Sequence, residues 1–199
     1  RKNLYAADEI ASTSNAMALQ TATLVDVPVS KINITPFGVD VEKFRKVDLK
    51  KENNKVIIGS IKKLSPKYGM KYGILAIDHL VKNLLVDGEK IHLEYRIYGE
   101  GDEKEELEDL VRKCGLGNLV RFMDRIPNDA VPQALNEMDI FLGNSIYDSE
   151  SFGVAIVEAM ACEVPVIVTD VDGFKEVVDN GKAGILISRK DPTAMAEEI

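Results

Sequence analysis

Residues 150–169 read ESFGVAIVEAMACEVPVIVT. From Phe152 to Cys162 only Glu158 carries a charge. A helix that is apolar all round is a buried helix. The β-branched run that follows, Val164–Thr169, is a buried strand. Upstream, Ile140–Leu142 is a second short apolar strand. Strand, buried helix and strand in that order form one unit of a parallel sheet covered on both faces. A carboxylate inside a buried helix is costly unless it meets a partner. A second acid, Glu150, stands before the Phe-Gly pair at the expected helix start. Free N–H groups and the positive dipole end attract phosphate there. Two acids so placed point to a site, because a core helix needs neither.

The same alternation extends in both directions. Lys55–Gly59 reads as a buried strand ending in Gly. A helix is expected from about Lys71 to Leu85, its apolar stripe made by Ile74, Leu75, Ile77, Leu80, Val81, Leu84 and Leu85. His92–Tyr98 alternates as a strand, and Gly99-Glu100-Gly101 reads as a tight turn at the sheet edge. Helix 103–114, strand 119–123 and a short helix over 129–137 capped at Asn128 or Asp129 follow. Beyond Thr169 come a short helix near Phe174–Val178, a strand over 184–187, and a helix capped by Asp191 with Pro192 in its first turn. This pattern predicts a doubly wound α/β fold, whose ligands lie beyond the carboxyl ends of the strands. Residues 1–33 read differently. Asp8–Ser14 is a short strand running into a cap, with a helix to about Val25 and a connector over Val27–Lys31. They are expected to be the tail of a preceding domain, with residues 34–199 forming the Rossmann-like domain. The chain opens at Arg1 and stops seven residues after Pro192, as expected of an excised fragment.

Composition narrows the function. Of 199 residues, 25 are Lys or Arg and 33 are Asp or Glu, giving a formal charge of −8. That argues against a nucleic-acid binder, which carries a basic face. No apolar run approaches the ~18 residues of a membrane span. Cys114 and Cys162 lack metal-ligand spacing and fit reduced thiols in a cytoplasmic setting.

The motifs together resemble those of the donor-binding C-terminal domain of the GT-B glycosyltransferases of family 4, the group 1 glycosyl transferases. Glu150 and Glu158 match that family's E-x7-E signature. Residues 34–40, ITPFGVD, resemble its inter-domain P-N-G-V-D loop, and Gly59 through Gly69 its G-R-L-x-x-x-K-G loop. Leu116–Met123 is similar to L-G-L-x-x-x-V-x-F, and Glu158–Pro165 to E-A-M-A-C-G-x-P. Asp172-Gly173 with Glu176 is similar to G-G-x-x-E. The resemblance implies retaining transfer of a sugar from a nucleoside-diphosphate sugar, UDP in preference to GDP, to a glycan, lipid or other acceptor. It implies no cofactor and no metal. Glu158 is expected on the ribose hydroxyls and Glu150 beside the donor sugar. The backbone N–H groups of Phe152, Gly153 and Val154 would face the sugar and diphosphate. Lys67 is expected to neutralise the diphosphate, and Gly59, Ser60, Arg125 and Ile126 to contact the donor. Glu150 and Lys67 are the expected catalytic pair. Acceptor binding would fall to a preceding domain, through which the whole enzyme associates with a membrane surface, and the fragment alone is expected to be inactive.

Several positions depart from the family pattern. Ser60 stands where its phosphate Arg is expected, so Lys62 or Lys63 must supply that charge, with Lys62 preferred. Ser151 and Asp172 replace glycines, Phe37 replaces Asn, and Glu163 replaces the Gly that ends the central helix. A residue other than Gly in a left-handed helix cap carries a cost. These departures leave a second reading, a non-catalytic nucleotide-sugar-binding or partner-binding module. A receiver or flavodoxin-like domain needs an acidic cluster at its first strand end, whereas the loop after Gly59 is rich in Lys.

Overall fold

A computed structural model describes residues 2–49, 55–83 and 92–199. Leu84 and Leu85, expected in the apolar stripe of the first long helix, lie outside the described residues. The chain order is α1 (Lys2–Tyr5), β1 (Ile10–Ser12), α2 (Asn15–Val25), β2 (Ile32–Ile34), β3 (Lys55–Ile61), α3 (Met70–Asn83), β4 (His92–Tyr98) and α4 (Lys104–Lys113). It continues with β5 (Val120–Met123), α5 (Val131–Glu137), β6 (Ile140–Gly143), α6 (Val154–Ala161), β7 (Val166–Thr169), α7 (Asp172–Val177), β8 (Ile185–Ile187) and α8 (Pro192–Glu198).

Strands β3 to β8 form one parallel sheet in the order β5-β4-β3-β6-β7-β8. Counted from β3, this is the 3-2-1-4-5-6 order of a doubly wound fold, and the order reverses between β3 and β6. Both faces are covered, and β6 (IFLG), β7 (VIVT) and β8 (ILI) are apolar almost throughout, whereas β4 carries Glu94 and Arg96 among its apolar residues. Ile74 and Ile77 of α3, Leu107 and Val111 of α4 and Met195 of α8 pack in one buried cluster. Leu135 of α5, Ile156 and Ala159 of α6 and Phe174 of α7 pack in another. Strands β1 and β2 pair in parallel in a separate two-stranded sheet under α2, around Ala18, Ala22 and Ile32.

The element order follows the sequence reading, with four local corrections. β3 runs to Ile61, two residues past Gly59. Gly59 is an interior strand residue because a Cβ there would meet Met138 Sδ at 2.2 Å. Val81 is exposed and lies off the buried stripe of α3. α5 begins at Val131 after Ala130, so neither Asn128 nor Asp129 caps it. The 99–101 turn follows an interior strand rather than an edge one, since β4 lies between β5 and β3. Among the described residues, no helix is long and apolar enough to cross a membrane.

Candidate functional site

The loop joining β6 to α6 carries the first acid. It closes on Gly153, whose φ of 86° is left-handed and whose Cβ would meet the Phe174 ring at 2.8 Å. Only Gly satisfies both conditions. Helix α6 starts at Val154, and Ile156 and Val157 donate back to the Gly153 carbonyl. Glu150 is buried, accepts from Ser145 Oγ at 3.1 Å and pairs with Lys62 Nζ at 2.8 Å. Lys62 comes from the end of β3, so this pair closes the point where strand order reverses.

Arg189 braces that loop. Its guanidinium donates to both Asp148 oxygens at 3.0 Å, and its Nε donates to Asp170 Oδ1 at 3.0 Å. Hydrogen bonding to Arg189 holds the Asp148 carboxyl below its ordinary range. Burial pushes Asp170 up, but Arg189 outweighs it and the net shift is also downward. Asp172, at one of the positions where the family has Gly, donates its backbone N–H to Asp148 at 3.1 Å. The next residue, Gly173, lets α7 approach: a Cβ there would lie 2.3 Å from the Glu150 carbonyl oxygen.

The extended β3 changes the roles of two predicted residues. Ser60 is fully buried and its hydroxyl is used inside the core. It donates to the Leu142 carbonyl at 2.9 Å and lies 2.9 Å from the Tyr95 hydroxyl, and Asn144 Nδ2 donates to both hydroxyls. Full burial pushes the Tyr95 phenol up to about 12, with the bonds from Ser60 and Asn144 opposing the rise. Gly59 and Ser60 therefore lie within the sheet, and neither lines the cleft at its carboxyl end. The chain reaches the mouth only at Ile61, Lys62 and Lys63.

These residues line a cleft of about 600 Å³ at the carboxyl ends of β3, β4 and β5. Lys62, Lys63, Arg125, Ile126 and Glu158 all face it, together with Tyr98, Gly99, Glu100 and Gly101. Burial pushes the Glu158 carboxyl above its ordinary range, opposed by Lys43. A hollow of about 20 Å³ shares Ile61 and Lys62 with the cleft and is lined by Gly153, Asn144, Ser145 and Tyr68. Glu150 meets the cleft through Lys62. Phe152 and Val154 flank Gly153, while Lys67 lines neither space and lies over the Tyr68 ring at 4.9 Å. The Gly-Glu-Gly turn belongs to the cleft, which the sequence reading missed. A Cβ at Gly99 or Gly101 would meet the Lys62 or Leu64 carbonyl at 2.0 or 1.9 Å, so both glycines let the lysine loop lie against the turn.

Asn15, Ala16, Gln20 and Phe37 touch the same loop and α7. Glu176 accepts from Asn15 N at 3.0 Å, Asn15 Nδ2 at 2.8 Å and Ala16 N at 3.1 Å, supplementing Ser14 as the cap of α2. Phe37, which replaces the family Asn, packs edge-on to Phe152 with centroids 5.9 Å apart. Glu163 ends α6 at a φ of 58°, the left-handed cap expected from its place in the sequence. The arrangement joins cations, a half-buried carboxylate and a helix start, which suits an anionic ligand bearing hydroxyl groups.

Residues 40–199 match the family model described as glycosyl transferases group 1. The putative colanic acid biosynthesis glycosyltransferase WcaL of Salmonella typhimurium is 30% identical over 86% of this chain and 42% of its own length. The amylovoran biosynthesis glycosyltransferase AmsK of Erwinia amylovora is 27% identical over 97% of the chain and 47% of its own length. This chain thus spans about half the length of these relatives. The fold is also that of Anabaena HepE, solved with UDP and glucose, at a TM-score of 0.78 and 21% identity over 96% of this chain and 52% of that one.

Proposed function

The chain belongs to the group 1 glycosyl transferases, and from that premise we propose that it is the donor-binding half of a retaining enzyme that uses a nucleoside-diphosphate sugar. The observation that carries this reading is the meeting of Lys62 and Lys63 with Glu158 in one cleft, at the reversal of strand order. In this reading Glu158 accepts hydrogen bonds from both ribose hydroxyls, which a carboxylate has the lone pairs to do. A ligand hydroxyl there offsets the cost of its burial. The base lies against the backbone of Arg125 and Ile126.

The diphosphate lies between the lysine loop and the start of α6, where Gly153 and Val154 offer N–H groups. The donor bond breaks toward the nucleoside diphosphate, so negative charge grows on the leaving oxygen. Lys62, Lys63 and Lys67 stabilise that charge. Glu150, fixed by Ser145 and Lys62, takes the donor sugar's hydroxyls. UDP is the proposed carrier in preference to GDP, with no metal required. Residues 1–33 close the preceding acceptor-binding domain, and the acceptor is a glycan or lipid of a polysaccharide pathway at the cytoplasmic side of a membrane.

Thermal unfolding with UDP, GDP, ADP and TDP, each with and without EDTA, tests this reading. One nucleotide at 100 times its Kd adds about 2.7 kcal/mol of stability. The expected shift survives EDTA and is lost in Glu158→Ala. A shift that persists unchanged in Glu158→Ala contradicts the assignment.

A further inference from the structure

Tyr68 closes a one-turn helix over Pro66–Tyr68, at a point where the family pattern runs from Lys directly to Gly. Its ring lies beneath two ammonium groups, Lys62 Nζ at 4.7 Å from the centroid and Lys67 Nζ at 4.9 Å. The ring itself is fixed. It packs against the core cluster beneath α3, and Tyr68 N donates to the Ser65 carbonyl at 2.9 Å. Ile146 N donates to the Lys67 carbonyl at 3.0 Å and ties the turn to the loop that carries Glu150. Among the described residues Lys62 has Glu150 as an ion-pair partner, whereas Lys67 has no carboxylate within that distance.

Each lysine loses side-chain entropy when fixed. The negative face of an aromatic ring opposes that loss, because it attracts each cation without neutralising it. A carboxylate in its place would compete with a phosphate for the lysines, as Glu150 does for Lys62, whereas the ring leaves the charge of Lys67 available. We infer that Tyr68 is a positioning residue that holds Lys62 and Lys67 ready for the diphosphate of the donor. The inference rests on the nucleotide-binding reading above and adds a residue that touches the lysines rather than the ligand.

The test compares the Kd of UDP, GDP, ADP and TDP with that of each parent nucleoside, by titration calorimetry at fixed salt. The variants are Tyr68→Phe, which keeps the ring, and Tyr68→Leu and Tyr68→Met, which remove it with side chains of different shape. For the diphosphate that binds, the ring-free variants weaken affinity about tenfold, the order of one to two cation–π contacts. Nucleoside affinity stays unchanged, and Tyr68→Phe stays within about twofold of the parent chain. Equal loss of nucleoside and diphosphate affinity would mark a merely structural ring and overturn the inference. Unchanged diphosphate affinity in whichever ring-free variant folds would overturn it and leave the nucleotide reading intact. If the parent chain binds none of the four diphosphates, both fall together.

Discussion

Gly173→Ala sets helix propensity against close packing, and the two predict opposite signs. Gly173 lies in the first turn of α7, and Ala in a helix is favoured over Gly by up to about 1 kcal/mol. If propensity decided the outcome, melting would rise by about 2–4 °C for a chain of this size. The added Cβ, however, would meet three backbone atoms: the Glu150 oxygen at 2.3 Å, the Ser151 carbonyl carbon at 2.8 Å and Phe152 N at 2.9 Å. Ordinary contacts begin near 3.4 Å, so the loop must retreat by about 1 Å, and backbone cannot rotate away as a side chain can. Overpacking of this kind costs about 1–3 kcal/mol. Arg189 resists the retreat through Asp148. With contacts this short to backbone the cost lies toward the upper end of that range, and the net expectation is a loss of up to about 2 kcal/mol, a fall of up to roughly 8 °C. The displaced atoms carry Glu150, and a misplacement of about 1 Å is enough to lower turnover about 100-fold. Differential scanning calorimetry measures the first effect, and donor turnover by the protein that contains this chain measures the second. A melting temperature equal to or above that of the parent chain would refute the close approach of α7 to the loop.

Three further outcomes follow from the same geometry. Glu163→Gly relieves a left-handed residue at the cost of one exposed pair with Lys46, so urea unfolding should show a net gain of a few tenths to about 1 kcal/mol, and a loss would mean the cap is unstrained. Glu158 has a raised proton affinity when folded. Its favourable contribution is therefore complete below the unfolded carboxylate value of about 4.3 and is lost as pH rises through the folded one. Glu158→Gln should match the parent in stability at acid pH, exceed it near neutrality and bind the nucleotide more weakly, and a variant less stable at every pH would contradict this. Glu176 shows the reverse shift. Burial raises its pKa, but the bonds from Asn15 and Ala16 lower it further, so its contribution is present above about 4.3 and is lost as pH falls through the depressed folded value. Glu176→Ala should cost about 1 kcal/mol near neutral pH, on the scale of a lost helix cap, and a pH-independent loss would point to packing instead.

The sequence made the α/β alternation legible because parallel strands buried on both faces read as short β-branched runs, and α6 reads as a helix with one misplaced charge. The same charge led to Glu158, and Gly153 followed from the Phe-Gly pair. The end of β3 was read too early because Gly59 looks like a strand stop. Its true role, leaving room for Met138, depends on a residue 79 positions away. Ser60 was placed at the ligand because a hydroxyl beside a Lys-rich loop looks available, and no local signal shows that Tyr95 and Leu142 already engage it. Arg189 was missed for the same reason, since both its carboxylate partners come from distant loops. The Gly-Glu-Gly stretch reads locally as nothing more than a tight turn, although its glycines matter for how closely they allow the lysine loop to approach.

The most direct measurement is a pair of titrations, ribonucleoside diphosphate against its 2′-deoxy counterpart, on the parent chain and on Glu158→Ala. The nucleotide is the one selected by the thermal panel. If Glu158 holds both ribose hydroxyls, the parent chain prefers the ribonucleotide by about tenfold, the worth of one hydrogen bond to a charged group. Glu158→Ala then binds the two forms equally. An undiminished preference in Glu158→Ala, or none in the parent chain, would contradict the placement of the nucleotide against α6.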